Sequence, residues 1–123
     1  MARVLVIDDN PDNMELMTYL LRAAGHQTVR ALDGPGGLAA AAGPAVDLIV
    51  CDAHLPGMDG CAIVERLKAD PVLSRIPVLV ATALGGADDQ ARLLAAGFDG
   101  FIAKPIAPRE FVRQVESFLP ATA

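Results

Sequence analysis

Five short strand-like runs alternate with segments of helical periodicity along the whole chain, and this rhythm restricts the fold more than any other feature. The strand-like runs fall at residues 4–7, 28–31, 47–51, 77–81 and 101–103. The first helical segment follows Asn10, places Leu16, Met17, Leu20, Leu21 and Ala24 on one side, and stops at Gly25. Further helices are expected over 36–42 (ended by Gly43-Pro44), 59–69 (with Ile63, Val64 and Leu67 as its stripe), 88–96 (stopped by Gly97) and 108–119. In the last, Phe111, Val112, Val115, Phe118 and Leu119 are expected to face inward. Strands apolar on both faces, alternating with helices, predict a parallel sheet covered on two sides: an α/β, doubly wound (βα)5 three-layer sandwich. Right-handed crossovers favour the strand order 2-1-3-4-5, with its switch point between the first and third strands, where ligands bind outside the carboxyl ends.

With 123 residues, 53% of them apolar, one domain over 1–120 is expected, followed by a short tail at 121–123. No apolar run approaches bilayer length and the start leads directly into a strand, so a cytoplasmic location without membrane attachment is the expectation. The formal net charge of −5 argues against direct nucleic-acid binding. Cys51 and Cys61 are expected to be buried free thiols rather than a disulfide or a metal pair.

In a parallel sheet the carboxyl ends of the strands share one edge. The first strand runs into Asp8-Asp9, the third into Asp52, the fourth into Thr82 and the fifth into Lys104-Pro105. Helix initiation accounts for Asn10 and Pro11, as N-cap and first-turn proline, and for one of the two preceding aspartates, but not for both. Two carboxylates about 4 Å apart repel by roughly 4 kcal/mol at an effective dielectric near 20. One lysine cannot balance three such pairs. Either some carboxyls stay protonated or a divalent cation sits among them, and an all-oxygen ligand set favours Mg²⁺ or Mn²⁺. Lys104 and Thr82 would contact a phosphoryl group opposite the metal, and the carboxylate nearest the metal and open to solvent is the candidate nucleophile.

Taken in order, "DD" at 8–9, "DAHLPGMDG" at 52–60, "ATA" at 81–83 and "KP" at 104–105 resemble the receiver domains of bacterial two-component response regulators, over essentially the whole chain. The "DDNPDN" start is similar to stand-alone, cell-cycle-type receivers and to those attached to hybrid kinases. The resemblance implies a CheY-like fold and a signalling switch with self-phosphorylation and self-dephosphorylation but no external substrate. It implies Asp52 as phosphoacceptor, taking its phosphoryl group from a histidine kinase or histidine phosphotransfer protein. Asp8, Asp9, Asp52 and the backbone carbonyl of His54 would hold Mg²⁺. Thr82 and Lys104 would bind the phosphoryl group, Thr82 and Phe101 would form the switch pair, and Pro105 would follow a cis peptide. The fourth helix, fifth strand and fifth helix would present the output surface to a downstream protein. Asp99, Arg109 and Glu110 fall where some members form a symmetric dimer, so a monomer or a phosphorylation-dependent homodimer is expected. Gly85-Gly86 are a candidate hinge or ordinary loop glycines. The His54 imidazole is placed to alter access of hydrolytic water to Asp52, or has no role.

Three other functions fit less well. A phosphatase with an aspartate nucleophile would want a second carboxylate two residues after it, where His54 stands. A nucleotide- or flavin-binding module would want a glycine-rich loop after the first strand, and three aspartates would repel its phosphate. An adaptor that no longer accepts phosphate would not need so complete a set of residues.

Overall fold

In a computed structural model of the chain, residues 2–43, 45–55, 57–83 and 87–119 are described, with backbone alone for 87–89. The candidate hinge Gly85-Gly86 lies outside them. The strands are β1 (Arg3–Ile7), β2 (Gln27–Ala31), β3 (Leu48–Asp52), β4 (Val78–Thr82) and β5 (Gly100–Ala103). The helices are α1 (Pro11–Ala23), α2 (Gly34–Ala41), α3 (Gly60–Ala69), α4 (Ala87–Ala96) and α5 (Pro108–Ser117), and a 3-10 turn, Leu73–Arg75, precedes β4. All strand pairs are parallel, and the order is β2-β1-β3-β4-β5, as the alternation predicts.

Alternation within the strands divides the core in two. Val4, Val6, Leu48, Val50, Leu79, Ala81 and Ile102 face one side, where Met14, Met17 and Leu21 of α1 and Phe111 and Val115 of α5 meet them. Leu5, Ile7, Ile49, Cys51, Val78 and Val80 face the other, against Ile63, Val64 and Leu67 of α3 and Leu93 of α4. Each helix therefore has one face to bury, and the sheet is wet only along its edges and ends.

Local chemistry fixes the helix ends. The side chains of Asn10, Asp33 and Asp59 accept backbone N–H bonds at the starts of α1, α2 and α3. Gly25 and Gly97 take φ of 94° and 121° just beyond α1 and α4, where a side chain would be strained. Helix α2 begins at Gly34, two residues before the expected start, because Asp33 rather than Gly36 ends the preceding turn.

Two inward faces differ from expectation. On α1 the buried stripe is Met14, Met17, Thr18 and Leu21, while Leu16 and Leu20 are half-buried and Ala24 is exposed. Thr18 can be buried because its hydroxyl donates to Met14 O at 2.7 Å, which satisfies it within its own helix. On α5, Phe111 and Val115 are buried, whereas Phe118 is 36% exposed and lies across Gly100 at the start of β5.

Candidate phosphoacceptor and metal site

Because β1 and β3 are neighbours, with Ile7 opposite Cys51, the residues that follow each strand's last apolar position come side by side. Single carboxylate oxygens of Asp8, Asp9 and Asp52 all lie within 4.8 Å of one another. The strand pairing β3·β4·β5 sets Asp52 opposite Ala81 and Thr82 opposite Ala103, and the Lys104 N–H donates to Thr82 O at 3.0 Å. Asp8, Asp9, Asp52, Thr82 and Lys104 thus share the carboxyl edge of the sheet. The Lys104-Pro105 peptide is cis.

The three carboxylates differ in environment. Asp8 is fully buried, Asp52 is buried and Asp9 is exposed. Asp8 Oδ1 accepts the Asn10 N–H at 2.8 Å, but Asp8 Oδ2 is buried without a hydrogen-bond partner, and Lys104 Nζ stands 3.8 Å away. Asp52 Oδ1 accepts the His54 N–H at 3.2 Å and forms an ion pair with Lys104 Nζ at 3.1 Å, and neither contact is to Oδ2. Burial raises the Asp8 pKa above the usual carboxylate value; the Asn10 N–H opposes this, Asp52 adds to it, and Lys104 opposes it. An ionised carboxylate with one oxygen dry and unbonded is costly, and a hard cation is the ligand that such an oxygen and its two acidic neighbours suit. The residues present therefore fit Mg²⁺ or Mn²⁺.

Two supporting contacts carry no sequence signal of their own. The His54 N–H orients Asp52 from two residues downstream, while the imidazole of His54 is exposed. Gly60, the first residue of α3, approaches so closely that a Cβ there would lie 2.8 Å from the Asp52 carbonyl oxygen. The "DG" at 59–60 reads only as a helix start, yet the glycine is what lets α3 sit against the end of β3.

Phe101 is half-buried and packs against the core on the α3 and α4 side. In register it pairs with Val80, two residues before Thr82. Asp99 is exposed, and its Oδ2 accepts from Lys68 Nζ at 3.0 Å and from the Val78 N–H at 2.8 Å, which fastens the start of β4 to α3. Cys51 and Cys61 are both free, with Cys51 buried and Cys61 only partly so. Burial, reinforced by Asp52 and Asp8, pushes the Cys51 thiol far above its ordinary range, so it is inert.

A five-stranded doubly wound sheet with an acidic bowl at its switch point and a lysine across from it defines a class: aspartate-centred switch domains. The chain belongs to the response regulator receiver domain family, whose profile matches residues 4–116. It is a receiver domain of two-component systems. It is 42% identical over 105 residues to the response regulator PleD of Caulobacter vibrioides, covering 85% of this chain and 23% of PleD. It is 34% identical over 116 residues to the polar-differentiation response regulator DivK of Brucella anthropi, covering 94% of each. The chain therefore spans about a quarter of PleD's length and nearly all of DivK's. Among solved structures it resembles the receiver domain of sensor histidine kinase PA1611 from Pseudomonas aeruginosa, with a TM-score of 0.87, 27% identity and coverage of 95% of this chain and 96% of that one. That structure has a magnesium ion coordinated in its active-site cleft. No helix among the described residues is long and apolar enough to cross a membrane.

Proposed function

We propose that this receiver domain accepts a phosphoryl group on Asp52 from the phosphohistidine of a histidine kinase or phosphotransfer protein. The observation that carries this reading is the buried, unbonded Asp8 Oδ2 inside a triad of carboxylates, beside a lysine already committed to Asp52. Asp8, Asp9, Asp52 and the His54 carbonyl would hold Mg²⁺ or Mn²⁺, which supplies positive charge against the incoming phosphoryl oxygens.

The side chains divide the remaining work. Lys104 and the His54 N–H both hold Asp52 Oδ1, so Oδ2 is the oxygen left to attack phosphorus; the P–N bond to histidine breaks and an acyl phosphate forms. Lys104 is then within reach of a phosphoryl oxygen and exchanges its carboxylate contact for one to phosphate. Thr82, buried at the end of β4, turns its hydroxyl to the phosphoryl group, and Phe101 moves into the space this opens. The rearranged face comprises α4, β5 and α5. A groove of about 270 Å³ there, lined by Ile102, Pro105, Ala107 and Gln114 among others, suits a downstream protein partner. The domain acts as a cytoplasmic switch without an external substrate, as a monomer or a homodimer formed on phosphorylation. His54, exposed beside Asp52, sets how readily water reaches the acyl phosphate.

Incubation with phosphoramidate and Mg²⁺, followed by intact mass measurement, tests this. One phosphoryl addition, lost in Asp52→Ala, is expected. Turnover of phosphate esters would mean a phosphatase instead, and no modification of the wild type would mean an adaptor.

A further inference from the structure

Strand β2 is one margin of the sheet, hydrogen-bonded only to β1. The Gln27 N–H donates to Ala2 O and Ala31 O accepts the Asp8 N–H, so the odd-numbered residues of β2 turn their backbone groups toward β1. By alternation along a parallel ladder, Thr28 and Arg30 turn theirs outward, and no described residue bonds them. This margin is also where a chain of net charge −5 concentrates arginine. A cavity of about 630 Å³ runs along four consecutive residues of the strand, Gln27 to Arg30, and is lined as well by Arg3, Arg22 and His26, with no carboxylate in its wall. A second cavity, about 380 Å³, adjoins it through the shared Arg22 and Arg30 and adds Tyr19, which is 69% exposed, and Glu15, which stands 3.8 Å from Arg30. Glu116 in turn pairs with His26 at 2.9 Å, so Arg3 and Arg22 are the cations here without an ion pair among the described residues.

The arginines stand on both faces of the sheet. Arg30 is in register with Val6 and lies on the α1 side, where Arg22 also stands, and its guanidinium donates to Thr18 Oγ1 at 3.0 Å. Arg3 is in register with Gln27 and lies on the opposite side, donating to Gln27 Oε1 at 3.2 Å. Arg22 has no ion-pair partner among the described residues. Charges that merely guard an edge against aggregation are met on a flat strand facing solvent. Here they line a shallow, open groove that includes the residues with open backbone groups, and the exposed Tyr19 lines the adjoining one; Tyr and Arg are the residue types that anchor interfaces.

We propose that the open margin of β2 is a docking strand for an extended acidic segment of a partner protein, which adds to the sheet through the backbone of Thr28 and Arg30 and sets its carboxylates against Arg3, Arg22 and Arg30. An added strand points alternate side chains to opposite faces, and this surface answers both with a cation. The surface lies away from Asp52 and does not depend on phosphoryl acceptance.

The test is an NMR titration of the full chain with a blocked peptide of consecutive glutamates, which carries carboxylates on both faces of an added strand, alongside its lysine counterpart, a version N-methylated at the central residue, and inorganic pyrophosphate. Amide shifts centred on Thr28 and Arg30 are expected with the glutamate peptide alone. Affinity should fall by about tenfold or more in Arg22→Glu and Arg30→Glu, while phosphoramidate labelling of Asp52 persists. No binding, equal binding of the lysine or N-methylated peptide, or pyrophosphate moving these amides where the glutamate peptide does not, would each overturn the proposal.

Discussion

Lys104 Nζ pairs with Asp52 Oδ1 at 3.1 Å and comes no nearer to Asp8 Oδ2 than 3.8 Å, so one ammonium serves two buried carboxylates unequally. Removing it leaves both uncompensated. Lys104→Gln is expected to lower the stability of the metal-free protein by about 2 kcal/mol, less than for a fully buried pair because the ammonium keeps some exposure. Saturating Mg²⁺ should recover most of the loss. Urea unfolding with and without Mg²⁺ checks both; an unchanged midpoint in metal-free buffer would contradict the pairing.

Asp8 gives the pH dependence. Its folded pKa is raised, chiefly by burial, so the folded metal-free protein holds that proton more tightly than the unfolded chain does. The Asp8 contribution to stability is then fully present below the unfolded carboxylate pKa and is lost as pH rises through the raised folded value. Mg²⁺, which needs the ionised form, should stabilise most above that value and little below it. Asp8→Asn should flatten the metal-free profile, raise stability near neutral pH by about 1 kcal/mol, and abolish the Mg²⁺ increment. Thermal unfolding across pH, with Mg²⁺ or a chelator, measures each part.

Gly60 tests the packing beneath Asp52. At an ordinary helix position, glycine to alanine gains about 1 kcal/mol. Here the new Cβ would meet the Asp52 carbonyl oxygen at 2.8 Å and the Ala53 Cα at 3.2 Å, both backbone atoms with little room to give. Gly60→Ala is expected to destabilise by about 1–3 kcal/mol and to slow phosphoryl acceptance by displacing Asp52. A stabilised variant with unchanged labelling would refute the close approach.

These residues also mark what the sequence discloses and what it does not. Asp8, Asp9, Asp52, Thr82 and Lys104 are legible because each follows an apolar run, and parallel topology sends all five to one edge. Gly60 is not, because a glycine needed for one close contact looks like any helix-start glycine. Thr18 is missed on α1 because its hydroxyl is satisfied by Met14 O, which a count of apolar positions does not register. Asp99 looks like surface charge until folding brings Lys68 and the Val78 N–H to it from 31 and 21 residues away.

That last cluster is structural. Asp99→Ala removes the acceptor for a strand N–H and for a lysine at once, and is expected to cost about 2 kcal/mol. The sedimentation behaviour of the phosphorylated protein should not change. A shift in oligomeric state with unaltered stability would make Asp99 an interface residue instead.

Asp8, Asp9 and Asp52, whose carboxylate oxygens lie within 4.8 Å of one another, are proposed to form a single divalent-cation site. Paramagnetic broadening by Mn²⁺ in a two-dimensional amide NMR spectrum tests it most directly. At substoichiometric Mn²⁺, signals should vanish first at Asp8–Asn10, Asp52–His54 and Lys104, and return when Mg²⁺ is added in excess. Broadening centred on other acidic residues, or persisting undiminished in Asp8→Asn, would contradict it.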